Sequence, residues 1–292
     1  MGSQNVYPYA KIARLAYLVN NQNDELQNAL RELSELDCHL VEGSIRPEQP
    51  LFAMDCFQAV CVEHKGDLVV SYRGTNNKRM EDIGVDGAII NLGATPTSGA
   101  FLRQYRNSSD TLIEKPSVGF AAGPLLVGIS GRIDLAMEYF STIRNSSNKN
   151  TVVVGHSLGG FLASYVAYQQ NTAAYTFNSA PCAKYAIFDG PAHYAEKYSA
   201  DPDRFNRILN FRIEDDPISG PPLMFPDNSS FPLGHMGTIF NLSPIRACNK
   251  LSLECHDLKL LIDTVDPKNP SIIDLPHLLL RSSPAPTTAW YW

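Results

Sequence analysis

The stretch VVVGHSLGGFLASYVA, residues 152–167, decides how this chain is read. Three valines run straight into Gly-His-Ser-Leu-Gly, and an apolar segment follows. A short, fully apolar β-branched run suits a strand buried on both faces. Residues 158–169 read as a helix. A serine between the two sits on a sharp turn where strand and helix crowd each other, so the positions two before and two after it must be small. Gly155 and Gly159 meet that demand, and Gly160 extends it. The helix start also aims free N–H groups and a positive dipole end at the turn, which makes the Leu158 N–H a natural oxyanion donor. A bare G-x-S-x-G arises by chance in roughly one chain in ten of this length, so Ser157 alone can also be a bystander in a glycine turn. A reacting serine needs a histidine base and a carboxylate that orients it, in the order Ser, Asp or Glu, His, with an oxyanion loop earlier in the chain.

Outward from that stretch, strand and helix signals alternate. Residues 10–18 and 24–36 carry helical stripes, the second with Leu26, Leu30, Leu33 and Leu36 on one face. Residues 57–63 and 67–72 are apolar and β-branched, and Lys65-Gly66-Asp67 joins them as a hairpin. Arg73-Gly74-Thr75 then breaks the strand. Residues 129–144 place Ile133, Met137, Phe140 and Ile143 on one helical face, and 173–177 and 207–211 are further short strands. This alternation predicts an α/β fold with a mostly parallel central sheet and helices on both faces. Nothing between 1 and 280 reads as a linker, so a single domain over 1–292 is expected. Residues 76–116 have no clean period and scatter Ile89, Ile90, Leu92, Phe101, Leu102 and Leu112, which marks a lid or loop region. Residues 283–292 form a tail holding both tryptophans, Trp290 and Trp292.

Composition narrows the function classes. The 292 residues are 44% hydrophobic, enough for a large core. A net charge of −6 argues against a nucleic-acid footprint and against electrostatic docking on anionic lipid. No run of 18 apolar residues predicts a spanning helix. The N-terminal stretch MGSQNVYPYAKIARLAYLV lacks the pattern of a cleavable export signal, so a cytoplasmic location, or export without a cleaved signal peptide, is expected. The six cysteines show no metal or redox spacing. Mostly buried free thiols are expected, with Cys248 and Cys255 the first pair to test for a disulfide.

Seven landmarks in order resemble the lipase class 3 family of α/β-hydrolases, the fungal triacylglycerol lipases and plant phospholipases A1. VVSYRGTN (69–76) is similar to that family's strand and oxyanion turn, and SVGF (117–120) to its segment before the long helix. TVVVGHSLGG (151–160) resembles its elbow, and TFNSAP (176–181) the strand after it. NFRIEDDPIS (210–219) is similar to the stretch holding the acid, while LGHMG (233–237) and CHDLKLLI (255–262) resemble two histidine landmarks. The family often carries a histidine where this chain has Val118, and tryptophan in the lid region, where this chain has none.

The resemblance implies the α/β-hydrolase fold, with Ser157 as nucleophile and the Thr75 backbone N–H, beside that of Leu158, as oxyanion donor. It implies Asp216 as acid, since it precedes Pro217-Ile218, with Asp215 as the alternative. Of seven histidines, His39 and His64 precede the serine, His193 precedes the acid, and His156 lies inside the elbow. Three are left: His256 matches the family's base, and His235 and His277 are the alternatives. The implied activity is hydrolysis of carboxylic esters of lipids, of lipase or phospholipase A type, without cofactor or metal. A thioesterase or other acyl hydrolase, and a catalytically silent lipid- or protein-binding member, are the competing readings. The expected partner is a lipid or small ester substrate, with transient membrane-surface contact left open.

Overall fold

The computed structural model describes residues 6–19, 24–51, 55–75, 122–183, 196–197, 200–201, 203–219, 235–248 and 253–268. The lid or loop region 76–116, the tail 283–292, the SVGF landmark, His193 and His277 lie outside the described residues.

The strands are β1 (Cys38–Leu40), β2 (Arg46–Leu51), β3 (Asp55–His64), β4 (Asp67–Tyr72), β5 (Thr151–His156), β6 (Ala174–Phe177), β7 (Ile208–Ile213) and β8 (Thr238–Leu242). They form one sheet of order β1-β3-β4-β5-β6-β7-β8, with β2 also paired to β3. The expected hairpin joins β3 and β4, with Lys65 and Gly66 at positive φ in its turn. From β4 to β8 every neighbouring pair is parallel, while β1 and β2 pair antiparallel with β3. The sheet is thus mostly parallel with an antiparallel margin.

The helices are α1 (Tyr7–Leu18), α2 (Asp24–Ser34), α3 (Ala122–Asn145), α4 (Leu158–Gln170), α5 (Asp203–Asn206) and α6 (Leu258–Val265). Side chains alternate across a strand, so the two faces of the sheet face two cores. Leu68, Val70, Tyr72 and Val153 point to one, where Ile133 and Phe140 of α3 and Phe161 and Leu162 of α4 pack. Val69, Val152, Val154 and Phe177 point to the other, against Ile12 and Leu15 of α1 and Leu261 of α6. Burial on both faces is why the central strands are apolar throughout rather than alternating.

Three strands have no counterpart among the expected elements. β2 is RPEQPL, and its two prolines remove ladder donors, which only an edge strand tolerates. β1 has three residues and β8 five, too short for a period to show. Helix α3 begins seven residues earlier than its apolar stripe, because Gly123, Pro124 and Gly128 mask the helical pattern. Among the described residues no helix is long and apolar enough to cross a membrane.

Candidate active site

Ser157 sits where β5 hands over to α4. Its φ of 58° and ψ of −127° lie outside the regions open to ordinary L-residues, so the surrounding backbone must hold it there. It does: the Ser157 N–H donates to the Phe177 carbonyl at 3.1 Å, and the Ser157 carbonyl accepts from the N–H groups of Gly160, Phe161 and Ala180. The glycines are explained by contact. A Cβ on Gly155 would lie 2.1 Å from the Gly159 carbonyl oxygen, and one on Gly159 would lie 2.1 Å from that of Tyr72. Strand, helix and the end of β4 therefore meet backbone to backbone under the serine.

Three side chains converge at this turn. The Ser157 Oγ lies 2.8 Å from Nε2 of His256. Nδ1 of His256 lies 2.9 Å from Oδ1 and 3.1 Å from Oδ2 of Asp216. All three residues are buried. Asp216 follows β7, and its oxygens also accept from the Ile218 N–H at 3.0 Å, the Ser219 N–H at 3.2 Å and the Ser219 hydroxyl. A carboxylate only accepts, so Nδ1 of His256 carries the proton and Nε2 is left bare to accept from the serine hydroxyl. Burial pushes the Asp216 carboxyl upward, but its bonds to His256, Ser219 and Ile218 outweigh that and hold it below the usual range.

His256 stands two residues before α6, and Asp257 caps that helix by accepting from the Lys259 N–H at 2.8 Å. Its neighbour Cys255 is bonded to Cys248. The disulfide joins the pair that the sequence singles out for a test, while Cys38, Cys61 and Cys182 are free and buried. Asn178, at φ 43°, ties the parts together. Its Nδ2 donates to the Cys255 carbonyl at 3.0 Å, and its Oδ1 accepts from the Ile213 N–H at 2.8 Å, linking the loop that carries His256 to the strand before Asp216.

The alternatives lie elsewhere. Asp215 is half-buried beside the fully buried Asp216. His235 bonds through Nε2 to the Ser219 carbonyl at 3.0 Å, and burial pushes its pKa down to about 4. His64 packs with Cys38, and His39 is an exposed neighbour of Asp37.

The turn after β4 runs along the other side of the serine. A Cβ on Gly74 would lie 2.4 Å from the His156 carbonyl oxygen, so only glycine lets this turn approach the elbow. Thr75 is buried and, with Ser157, His256 and Tyr17, lines a cavity of about 610 Å³ whose wall also carries Arg14 and Lys259. Leu158 opens α4, so its N–H is among those without an intrahelical acceptor. Tyr17, Asn178 and Ser219 are participants that sequence reasoning missed. TFNSAP stands out as a landmark, but nothing in it signals Asn178 as a clamp. Among the described residues no group of three or more His, Cys, Asp or Glu is placed to hold a metal ion.

A mostly parallel sheet covered on both faces, with a strained serine at a strand–helix turn and a hydrogen-bonded Ser–His–Asp row above the strand ends, is the architecture of the α/β-hydrolases. Residues 130–220 match the profile of a phospholipase-like family, the Tle-like phospholipase domain. That segment holds both Ser157 and Asp216. The chain is also similar to the lipase from Rhizopus microsporus var. chinensis, at 16% identity over 91% of this chain and 86% of that one, with a TM-score of 0.48. It is similar to the Lip2 lipase of Yarrowia lipolytica at 16% identity over 81% and 77% of the two chains, with a TM-score of 0.46. Lipase II from Rhizopus niveus is similar at 15% identity over 81% and 78%, with a TM-score of 0.41. No curated protein matches the sequence.

Proposed function

We propose that this chain hydrolyses carboxylic esters of lipids through an acyl-enzyme on Ser157, with His256 as base and Asp216 as the acid that orients it. The carrying observation is that one imidazole bridges the serine hydroxyl and the buried carboxylate at once. Ser157 Oγ attacks the ester carbonyl as its proton passes to Nε2 of His256. Asp216 holds the ring and faces the imidazolium that forms. The backbone N–H groups of Thr75 and Leu158 hold the developing oxyanion, an interaction for which losing one donor typically costs about 3 kcal/mol. His256 then gives its proton to the leaving alcohol. Water, deprotonated by His256, attacks the acyl-enzyme and releases the acid. The profile match supports lipid esters as the substrate class. The reading takes the chain as one catalytic unit meeting a lipid or small ester, by transient contact where that lipid lies in a membrane.

A serine-directed fluorophosphonate probe, run beside a panel of p-nitrophenyl esters, triglycerides and phospholipids, tests it. Wild type is expected to label and to hydrolyse at least one lipid class, and Ser157→Ala to do neither. Equal labelling of the two proteins removes Ser157 as nucleophile. Labelling without turnover of any lipid ester removes the substrate class.

A further inference from the structure

The mechanism leaves one buried ring beside the catalytic row unused. His156, the residue before the nucleophile, stacks obliquely on His256, with ring centroids 4.8 Å apart and planes 38° apart. Its Nε2 lies 2.8 Å from the backbone carbonyl oxygen of His256. A carbonyl only accepts, so Nε2 carries the proton and Nδ1 is bare. The Tyr17 hydroxyl lies 2.9 Å from that Nδ1 and donates to it. The same hydroxyl oxygen accepts from the Gly74 N–H at 3.1 Å. Each link fixes the direction of the next, giving one continuous run: Gly74 N–H to Tyr17 O–H to His156, and His156 Nε2–H to the His256 carbonyl. Four segments far apart in sequence are joined by it, namely helix α1, the turn after β4, the elbow and the loop before α6. Burial, then the nearby His256 ring, pushes the His156 pKa down to about 3, so the ring stays neutral and keeps both its N–H and its lone pair.

We propose that His156 is a positioning residue for the ester hydrolysis: its Nε2–H tethers the backbone of His256 so that the base meets Ser157, and Tyr17 locks the tautomer that makes the tether. The inference rests on the catalytic reading above. It also narrows that reading, because the Gly74 N–H is engaged by Tyr17 and the oxyanion donors on that side reduce to Thr75. Both ring atoms of His156 are needed. A neutral ring with its proton on Nδ1 would set a lone pair against the His256 carbonyl and leave the Tyr17 hydroxyl only the longer bond to the His156 carbonyl at 3.4 Å.

Two replacements separate the links. In His156→Gln the carboxamide nitrogen reaches where Nε2 stood and keeps the tether. In His156→Asn the shorter amide can serve Tyr17 but not the carbonyl. Displacing a catalytic group by about 1 Å costs up to about a hundredfold, so His156→Asn is expected to lose about ten- to a hundredfold in kcat with KM nearly unchanged. His156→Gln is expected to recover most of that loss. Equal losses in the two variants, both folded, overturn the tether. A second measurement is independent of catalysis and of whether either variant folds. Heteronuclear NMR of histidine-labelled wild type near neutral pH is expected to find His156 protonated on Nε2, and Tyr17→Phe to mix the tautomers. A proton on Nδ1 in wild type overturns the proposal. If Ser157→Ala still labels and turns over, the catalytic reading fails while the NMR result stands by itself.

Discussion

Replacing Asp216 by Asn keeps the shape of the acid and reverses half of its hydrogen bonding. The carboxylate accepts from four donors: His256 Nδ1, the Ile218 N–H, the Ser219 N–H and the Ser219 hydroxyl. An amide offers one oxygen and one NH2 group, so whichever way it turns, N–H groups face donors. With the amide nitrogen toward His256, the ring must put its lone pair on Nδ1 and its proton on Nε2. That proton then points at Ser157 Oγ, 2.8 Å away, and the base cannot accept. With the amide oxygen toward His256 the tautomer survives, but the imidazolium loses the negative charge 2.9 Å from its N–H. Either outcome removes transition-state stabilisation, so kcat is expected to fall by about a thousand- to ten-thousandfold, or about 4–5.5 kcal/mol. KM should move by no more than about twofold, since the Asp216 side chain is fully buried behind His256. Leaving buried donors unmatched should also cost about 1–3 kcal/mol of stability, so circular dichroism must first show a folded protein at the assay temperature. Turnover of a p-nitrophenyl ester gives kcat, and the fluorophosphonate labelling rate should fall with it. Asp215→Asn, at a half-buried neighbour, should stay within about twofold. A folded Asp216→Asn keeping more than about a tenth of kcat, or Asp215→Asn falling as far, refutes the assignment of the acid.

Acid should weaken the fold through His156. Its folded pKa of about 3 lies below the ordinary 6.5, so the unfolded chain takes up a proton first and stability is lost as pH falls from 6.5 toward 3. Over the first two units that is about 2–3 kcal/mol, or about 3–5 °C in melting temperature. His235 acts in the same direction. Calorimetry should find the slope smaller in His156→Gln, and an unchanged slope removes His156 as its source. At the elbow, Gly159→Ala would drive a Cβ to 2.1 Å from the Tyr72 carbonyl oxygen and 2.9 Å from the Gly74 nitrogen, so about 3 kcal/mol or more of destabilisation is expected. Chemical denaturation checks this, and a wild-type midpoint would mean that strand and helix do not crowd there.

What the sequence made legible follows the range of the physics behind each feature. Gly155 and Gly159 stand out because backbone crowding acts over a few residues and leaves a fixed spacing. The central strands show because burial on both faces makes them apolar throughout, while β2, with two prolines on an edge, carries no such mark. The order of Ser157, Asp216 and His256 can be read along the chain, and the resemblance chose among the histidines; that the three side chains meet is visible only in three dimensions. Between Asp215 and Asp216 the resemblance picks the one before Pro217; that the backbone aims this one inward and leaves its neighbour half-buried is visible only in three dimensions. Tyr17 was hidden most deeply. It sits in an apolar helix as one aromatic among several, and its bond to His156 spans 139 residues of chain.

The residues of the site share one address. Thr75, Ser157 and Asp216 stand just past the C-terminal ends of β4, β5 and β7, and His256 lies in the segment beyond β8. Those strands all run parallel, with β6 between β5 and β7, so the spacing of the site is written into the sheet. Chemistry and connection are therefore separable in this fold. The length of chain between Thr75 and α3 does not enter the distance between one strand end and the next, so an insertion there is expected to leave Ser157, Asp216 and His256 in place.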